Sequence, residues 1–251
     1  NDLANQKINA DDVWVSYNGT GVTIAVLDSG LDVNHADIPT PTASKDYSAY
    51  PTLDDTIANT VTGHGTHVTG SALGRASNTT NSTYNGTAPG ANLVFLKIGS
   101  DASGGASTAA MVNAIKAATD NYSADVITVS YGGWDAYHDG TSQEAQAVDY
   151  AVSKGAVVFI SAGNDADDDE HYSGTVAGSS STDFIQVNIN VSGGGTGNYR
   201  TAFAYNLVWY DGTGTSNDLA VEYYDSSYNL LASTNGTQSQ STRGTESEYS
   251  Y

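Results

Sequence analysis

The sequence contains no cysteine and few basic residues, and each shortage excludes something. Without cysteine there is no disulfide framework and no thiolate metal site, and the sequence does not indicate whether the protein works in an oxidising or a reducing compartment. Lys and Arg number 8 against 28 Asp and Glu, so the formal net charge is -20. A field of that sign repels nucleic acid and anionic membranes, so no nucleic-acid partner is expected.

Long apolar runs are also missing. None reaches the roughly 18 residues that a membrane-spanning helix needs, and no signal peptide is recognisable. Apolar side chains still make up 39% of the chain, and 17 residues are tyrosines. That fraction permits a packed core, and 251 residues leave room for about one and a half domains. We therefore expect two unequal parts.

The polar fraction is rich in Ser, Thr and Asn, and seven asparagines fit the Asn-X-Ser/Thr pattern for N-glycosylation. They are Asn18, Asn78, Asn81, Asn85, Asn121, Asn190 and Asn235. Some matches arise by chance in such a composition, but three between residues 78 and 87 indicate a decorated surface loop. The sequons favour a secreted, extracellular or cell-surface protein whose targeting segment has been removed.

Strand and helix patterns alternate up to about residue 170, which predicts an α/β fold with a doubly wound, mostly parallel sheet. Continuous apolar runs, typical of strands buried on both faces, lie at 22–27, 91–98, 125–130 and 156–161. Helical patterns lie at 64–73, 107–119 and 145–153. Two stretches read as irregular: 1–20, with the apolar anchor Val13-Trp14-Val15, and 39–62, with three prolines.

Two short motifs contain the candidate chemistry. Asp28 ends the first apolar run, and open α/β sheets bind their ligands at the carboxyl ends of their strands. His64 lies between two glycines at the start of a helical pattern, where the backbone can pass close to a ligand. A metal pair formed with His67, or an ordinary turn, is the alternative to a catalytic histidine.

In this order, and about one α/β unit apart, the two motifs resemble the Asp and His motifs of the subtilisin-like serine proteases. A third segment, Ala162-Gly163-Asn164, follows the last strand run and resembles the oxyanion motif of that family. The resemblance implies that His64 is the general base and that Asp28 fixes its tautomer. It further implies that Asn164 donates a hydrogen bond to the oxyanion.

The resemblance also implies a polypeptide substrate, held as an added strand between two flanking segments. The residues concerned are Ser103, Gly104, Gly105, Ser130, Tyr131 and Gly132. A structural calcium ion is implied as well, and acidic loops supply the hard oxygen ligands that it needs. Asp46, Asp54 and Asp55 are candidates, although a solvated loop is the simpler interpretation, and no ligand set is assigned. His35 and Asp37 match a structural turn of the family.

The serine motif of the family, Gly-Thr-Ser-Met-Ala, does not occur in this sequence. From about residue 171 helical patterns disappear, and short alternating runs between turn residues predict an antiparallel β-sandwich over 171–251. Those runs, at 183–191, 202–210, 219–224 and 229–232, resemble the jelly-roll or pre-peptidase-type modules of secreted subtilases. We predict a catalytic domain over 1–170 and a sandwich inserted before the serine segment.

Two serines imitate the missing motif. Ser142 lies upstream of Asn164, in a segment (141–144) that fits a capping box before a helix. Ser216 comes in the right order but precedes a strand pattern, with no helix to bury it.

The preferred interpretation is a secreted endopeptidase whose serine lies outside this chain, in a C-terminal fragment of the same precursor. The alternative is a serine-less, inactive relative that acts as a glycosylated surface or assembly protein.

Overall fold

The structure is a computed structural model, and it describes most of the first 164 residues and parts of the remainder. The described residues are 2–48, 63–77, 84–100, 103–133, 139–164, 173–175, 177, 181, 203–210, 219–233 and 243–250. The chain divides into two compact units. One contains 1–133 and 140–162, and the other contains 134–139 and 163–251. The domain boundary near residue 170 stays a prediction.

The larger unit is built on a five-stranded parallel sheet. Its strands are β1 (Thr23–Asp28), β2 (Ala43–Asp46), β3 (Asn92–Lys97), β4 (Val126–Val129) and β5 (Val157–Ile160). Their order across the sheet is β2-β3-β1-β4-β5, and every pairing is parallel. The chain adds β3 on one side of β1 and β4 on the other, so the switch point of the sheet lies at β1. The predicted doubly wound α/β fold is confirmed.

Alternate residues of β1 pack into two hydrophobic cores, one on each face of the sheet. Ala25 and Leu27 pack with small residues of two helices, α4 (Thr108–Asp120) and α5 (Gln143–Ser153). Val26 packs on the opposite face with residues of α3 (His64–Leu73). Because both faces are covered, the strand needs a continuous apolar sequence, which is the pattern found at 22–27.

The helices α4 and α5 begin at serine caps. The side chains of Ser107 and Ser142 each accept a hydrogen bond, at 3.2 Å, from the backbone N–H three residues later. The predicted start of α5 was wrong by two residues, since the helix begins at Gln143 and Ser142 is its N-cap. Its hydroxyl is thereby engaged in capping, as predicted.

The region predicted to be a loop at 39–62 was partly wrong, because Ala43–Asp46 forms the edge strand β2 beside β3. The four residues, Ala-Ser-Lys-Asp, show no apolar alternation because none of them is fully buried. An edge strand that is not covered on both faces therefore lacks the pattern by which strands are recognised.

The first residues form two short helices, α1 (Asp2–Lys7) and α2 (Ala10–Val13), which the sequence did not predict. The proposed apolar anchor was also wrong, since Val15 is 97% exposed. The attachment is polar instead. Asn5 is 2% exposed and donates from its side chain to the carbonyl of Asn85, and the Trp14 indole donates to the carbonyl of Thr87, both at 2.9 Å.

In the smaller unit, the described strands form two antiparallel pairs. β6 (Phe203–Tyr210) pairs with β9 (Arg243–Ser250), and β7 (Glu222–Tyr224) pairs with β8 (Leu230–Ser233). The turn between β7 and β8 is closed by Asp225, whose Oδ1 accepts hydrogen bonds from the N–H groups of Ser227 and Asn229. The side-chain amide of Asn229 donates to Oδ2 of Asp225 at 2.8 Å, and this bond, with the two backbone bonds, lowers the pKa of Asp225.

Three of the four predicted runs coincide with β6, β7 and β8, the last of which ends one residue beyond the predicted run, and the fourth, 183–191, lies outside the described residues. β9 was not predicted because its sequence, Arg-Gly-Thr-Glu-Ser-Glu-Tyr-Ser, has almost no apolar side chains. The antiparallel pairing agrees with the sequence pattern, and the sandwich itself stays a prediction.

The longest helix in the described part of the chain is α4, with 13 residues. No helix there is long and apolar enough to span a bilayer.

Candidate active site

Asp28 is the last residue of β1, and its side chain is completely buried. Its Oδ1 atom accepts a hydrogen bond from the backbone N–H of Ser29 at 2.7 Å, and it lies 2.6 Å from Nδ1 of His64. Burial raises the pKa of Asp28, although the hydrogen bonds from His64 and Ser29 act in the opposite direction. The ionised carboxylate of Asp28 therefore lowers the stability of the folded protein.

The contact with Asp28 determines the tautomer of His64. An ionised carboxylate can only accept hydrogen bonds, so Nδ1 of His64 must carry the hydrogen in this pair. The lone pair is then on Nε2, which is the arrangement that a general base needs. The His64 side chain is 41% exposed, whereas that of Asp28 is fully buried, so the pair joins the interior to the surface.

Glycine brings the start of α3 against the end of β1. A Cβ atom on Gly65 would lie 2.1 Å from the carbonyl oxygen of Gly30 and 3.1 Å from Cβ of Asp28. The backbone of α3 can therefore reach Asp28 only without a side chain at this position. The N–H of Gly65 donates to Oγ of Ser29 at 3.2 Å, and Oγ of Thr66 accepts from the N–H of Asp32 at 2.8 Å.

Ser29 is a site residue to which sequence reasoning assigned no role. It donates its N–H to Asp28 and accepts from Gly65, so it links the Asp28 and His64 motifs. The signal available in the sequence was its small polar side chain directly after the acid.

The two segments predicted to flank a substrate lie beyond β3 and β4. The first is a tight turn in which Ser100 accepts from the N–H of Gly104 at 2.7 Å and donates its N–H to Gly105 at 2.9 Å. The hydroxyl of Tyr131, in the second segment, donates to the carbonyl of Gly104 at 2.6 Å. The structure thus joins the two segments, while substrate binding by Ser103, Gly105 and the other members stays a prediction.

Asn164 follows β5 by four residues and is exposed. It belongs to the smaller unit, and its role as an oxyanion donor stays a prediction. Ser216, Asp54, Asp55 and the sequons at Asn78, Asn81, Asn190 and Asn235 lie outside the described residues.

Three of the sequon asparagines are described. Oδ1 of Asn18 accepts from the N–H and the hydroxyl of Thr20, Asn121 is exposed at the end of α4, and the carbonyl of Asn85 accepts from Asn5. Whether any of them bears a glycan stays a prediction.

Histidines and acids elsewhere in the described residues form no group of three that could hold a metal ion. Asp46 accepts from the N–H and hydroxyl of Ser48 through Oδ1, which is a local turn. The N–H of Asp37 donates to Nδ1 of His35 at 3.3 Å, which agrees with the predicted structural turn. Calcium stays a prediction, and no part of the chemistry is derived through it.

The fold and the Asp28–His64 pair together indicate a class of protein. A buried carboxylate that orients an imidazole at the carboxyl edge of a parallel sheet supplies the general-base half of a nucleophilic hydrolase. Comparison with known proteins identifies the family. Residues 19–249 match the subtilase family, and the chain belongs to it.

Thermitase of Thermoactinomyces vulgaris is 38% identical over 160 residues, which cover 63% of this chain and 53% of thermitase. The major intracellular serine protease of Bacillus subtilis (strain 168) is 30% identical over 165 residues, covering 65% of this chain and 49% of that protein. A solved structure of proteases from Pseudoalteromonas arctica matches with a TM-score of 0.51 and 25% identity, over 62% of this chain and 54% of that one. The chain spans about half the length of the relatives that it matches.

Replacing Gly65 with Ala tests the close approach of α3 to β1. We expect a loss on the order of 1–3 kcal/mol in the free energy of unfolding, because the new Cβ would collide with backbone. Gly70→Ala is the matched control in the same helix. Its Cβ would lie 3.6 Å from Cδ1 of Ile38, an ordinary contact, so a gain of about 0.5–1 kcal/mol is expected. Equal stability of the two variants in urea unfolding would contradict this account.

Replacing Asp28 with Asn tests the cost of the buried charge. The folded state holds the Asp28 proton more tightly than the unfolded chain does, so ionised Asp28 destabilises the fold at neutral pH. That penalty disappears as the pH falls through the raised pKa toward the unfolded value of 3.8.

We therefore expect Asp28→Asn to raise the Tm at pH 7, by roughly 2–4 °C for each kcal/mol relieved, and the two proteins to converge in acid. Thermal unfolding followed by circular dichroism over this pH range measures the difference. The exposed Asp149→Asn on α5 is the control and should change little. A lower Tm for Asp28→Asn at every pH would show that the charge is not held at a cost.

Proposed function

We propose that this chain is the Asp- and His-bearing part of a secreted serine endopeptidase that hydrolyses peptide bonds in polypeptides. The observation that carries the proposal is the 2.6 Å contact between Nδ1 of His64 and Oδ1 of the buried Asp28. Membership of the subtilase family supports it. A buried carboxylate needs hydrogen-bond donors, but it does not need a partly exposed imidazole as one of them, so a catalytic role is the simplest reason for the pair.

In the proposed reaction, a serine hydroxyl attacks the carbonyl carbon of the scissile peptide bond. The proton leaves the serine for Nε2 of His64, and the same proton is then donated to the departing amine. A water molecule repeats the sequence on the acyl intermediate, which releases the second product and restores the serine.

Asp28 contributes to this reaction through its burial. Burial raises the pKa of Asp28, so its surroundings compensate the negative charge only in part. When His64 takes the proton, a positive imidazolium appears 2.6 Å from the carboxylate, and the burial of Asp28 limits how far water screens the attraction. The pair is therefore more favourable in the charged intermediate than in the resting enzyme, which is the condition for catalysis.

Asn164 is the proposed oxyanion donor. Its amide is a neutral group that meets a developing alkoxide without transferring a proton, and losing such a donor costs roughly 3–4 kcal/mol of barrier. Its position four residues after β5 supports the assignment.

We propose that the nucleophile lies outside residues 1–251, in a further segment of the same precursor. The edge strand β5 supports this. Within the described residues it pairs only with β4, and Val157, Phe159 and Ile160 are 53%, 61% and 45% exposed. A strand at the edge of a sheet whose apolar side chains are exposed is a surface that a further strand and helix would cover. The predicted β-sandwich would then interrupt the catalytic domain before its serine.

An extracellular location and glycosylation belong to the same proposal, and they rest on the sequons. The relative from Bacillus subtilis that is named intracellular shows that the family alone does not decide the compartment.

The proposal is tested with a serine-directed fluorophosphonate probe. Residues 1–251 alone should show no peptidase activity, because losing the serine removes about as much rate as losing the whole triad. In the complete protein the probe should label a peptide outside this sequence, and His64→Ala should abolish that labelling. Labelling at Ser216 would place the nucleophile inside this chain. A complete protein that is folded but neither labelled nor active would favour the inactive surface-protein alternative.

Calcium is proposed as a stabilising ion, on the family resemblance and the surplus of acidic residues. An ion that binds only the folded state stabilises it by mass action, so removal by a chelator should lower the Tm by several degrees and added calcium should restore it. Magnesium at the same concentration is the control. An unchanged Tm in chelator would remove calcium from the proposal.

A further inference from the structure

We infer that Tyr131 is a positioning residue that holds the two substrate-flanking segments and the His64 ring in one fixed arrangement. The inference rests on the proposed function. It assigns Tyr131 no contact with the reacting atoms and no proton transfer, and it concerns only the geometry that a bound peptide would meet.

The hydroxyl of Tyr131 connects the two segments by a hydrogen bond. It donates to the carbonyl of Gly104 at 2.6 Å, across 27 positions of the sequence. Gly104 is buried and has a φ of 70°, so its carbonyl is held in a left-handed turn that few residues other than glycine adopt. A buried carbonyl that loses its donor is costly, and this bond therefore fixes the distance between the turn and the end of β4.

The ring of Tyr131 lies beside the catalytic imidazole. Its centroid is 6.2 Å from that of His64, and the two planes meet at 84°, the edge-to-face geometry that aromatic pairs favour. One side chain thus contacts both a flanking segment and the general base. A movement of the turn that displaced Tyr131 would reach His64 directly.

Gly99 makes room for this arrangement. A Cβ atom there would lie 2.2 Å from the Tyr131 hydroxyl oxygen, 2.8 Å from Cα of Ser29 and 3.2 Å from the Gly104 carbonyl oxygen. The N–H of Gly99 faces the carbonyl oxygen of Asp28 at 3.3 Å. The hydroxyl therefore lies where the end of β1, the turn and the end of β4 meet, and only a residue without a side chain fits beneath it.

This geometry predicts which substrates depend on Tyr131. A peptide added between two backbone segments must sit about 4.8 Å from each, so the spacing of the segments decides how well it pairs. A peptide long enough to contact both segments needs that spacing. A substrate that reaches only the reacting bond does not.

The variant Tyr131→Phe removes the hydroxyl and keeps the ring. The turn retains its own bonds between Ser100 and the N–H of Gly104 and between Gly105 and the N–H of Ser100, so the variant is expected to fold. Gly99→Ala displaces the hydroxyl by a different route, but its Cβ would also collide with Cα of Ser29, so the comparison of ester with anilide is made on Tyr131→Phe alone. Tyr150→Phe is the control, because it removes a hydroxyl bonded to Asp120 on the exposed surface, at 2.9 and 3.0 Å.

The experiment uses the complete protein and two measurements. The first is the affinity for a six-residue peptide whose scissile bond is reduced and cannot be cleaved, measured by calorimetry. The second is hydrolysis of a six-residue anilide against a single-residue ester. We expect Tyr131→Phe and Gly99→Ala to weaken hexapeptide binding and raise the KM of the anilide about five- to tenfold, a fold-change that corresponds to one hydrogen bond. Tyr131→Phe should change hydrolysis of the ester less than hydrolysis of the anilide, and the control Tyr150→Phe should change neither.

Each other outcome decides against the inference or against the function. Unchanged hexapeptide binding in Tyr131→Phe overturns the inference, and so does an equal loss for ester and anilide, which would indicate a merely structural role. A wild-type protein that binds no hexapeptide overturns it as well. A wild-type protein that binds the peptide but does not cleave it refutes the proposed function, whereas weaker binding by Tyr131→Phe in that protein still supports the positioning role.

Discussion

The larger unit depends on one constraint, the burial of a carboxylate at the centre of a parallel sheet. β1 has a paired strand on both sides and a hydrophobic core on both faces, so Asp28 at its end loses its contact with water. The fold tolerates that charge because Ser29 and His64 donate hydrogen bonds to it. The start of α3, with Gly65, and the turn after β1 place these two donors within hydrogen-bond distance of Asp28. The hydrogen bond that compensates the charge of Asp28 also fixes the tautomer of His64 and leaves its Nε2 lone pair free of a hydrogen.

The order and type of the central elements could be predicted because they depend on burial, which the sequence records directly. A strand covered on both faces must be apolar throughout, and β1, β3 and β4 each show such a run. β5 has the same apolar pattern, although three of its side chains are exposed in this structure. The Asp28–His64 pair was predictable for a related reason. Each motif is local, and the parallel sheet brings the end of β1 to the edge at which α3 begins.

The elements that sequence reasoning missed are held by polar contacts whose partners lie far along the chain. Asn5 binds the carbonyl of Asn85, β2 pairs as a polar edge strand, and the Tyr131 hydroxyl reaches Gly104. None of these contacts leaves a periodic trace, because a hydrogen bond needs one donor rather than a pattern. The same holds for β9, whose polar residues gave no strand signal.

The parallel topology also determines when the site can form during synthesis. β1 ends at Asp28, but its neighbours β3 and β4 end at Lys97 and Val129. About a hundred residues must therefore emerge after Asp28 before β1 has both partners, and parallel pairings of such separation are slow to close. Until then the carboxylate stays hydrated and His64 has no fixed partner. A nascent chain of this protein would consequently extend by about a hundred residues beyond Asp28 before its acid and base motifs could act together.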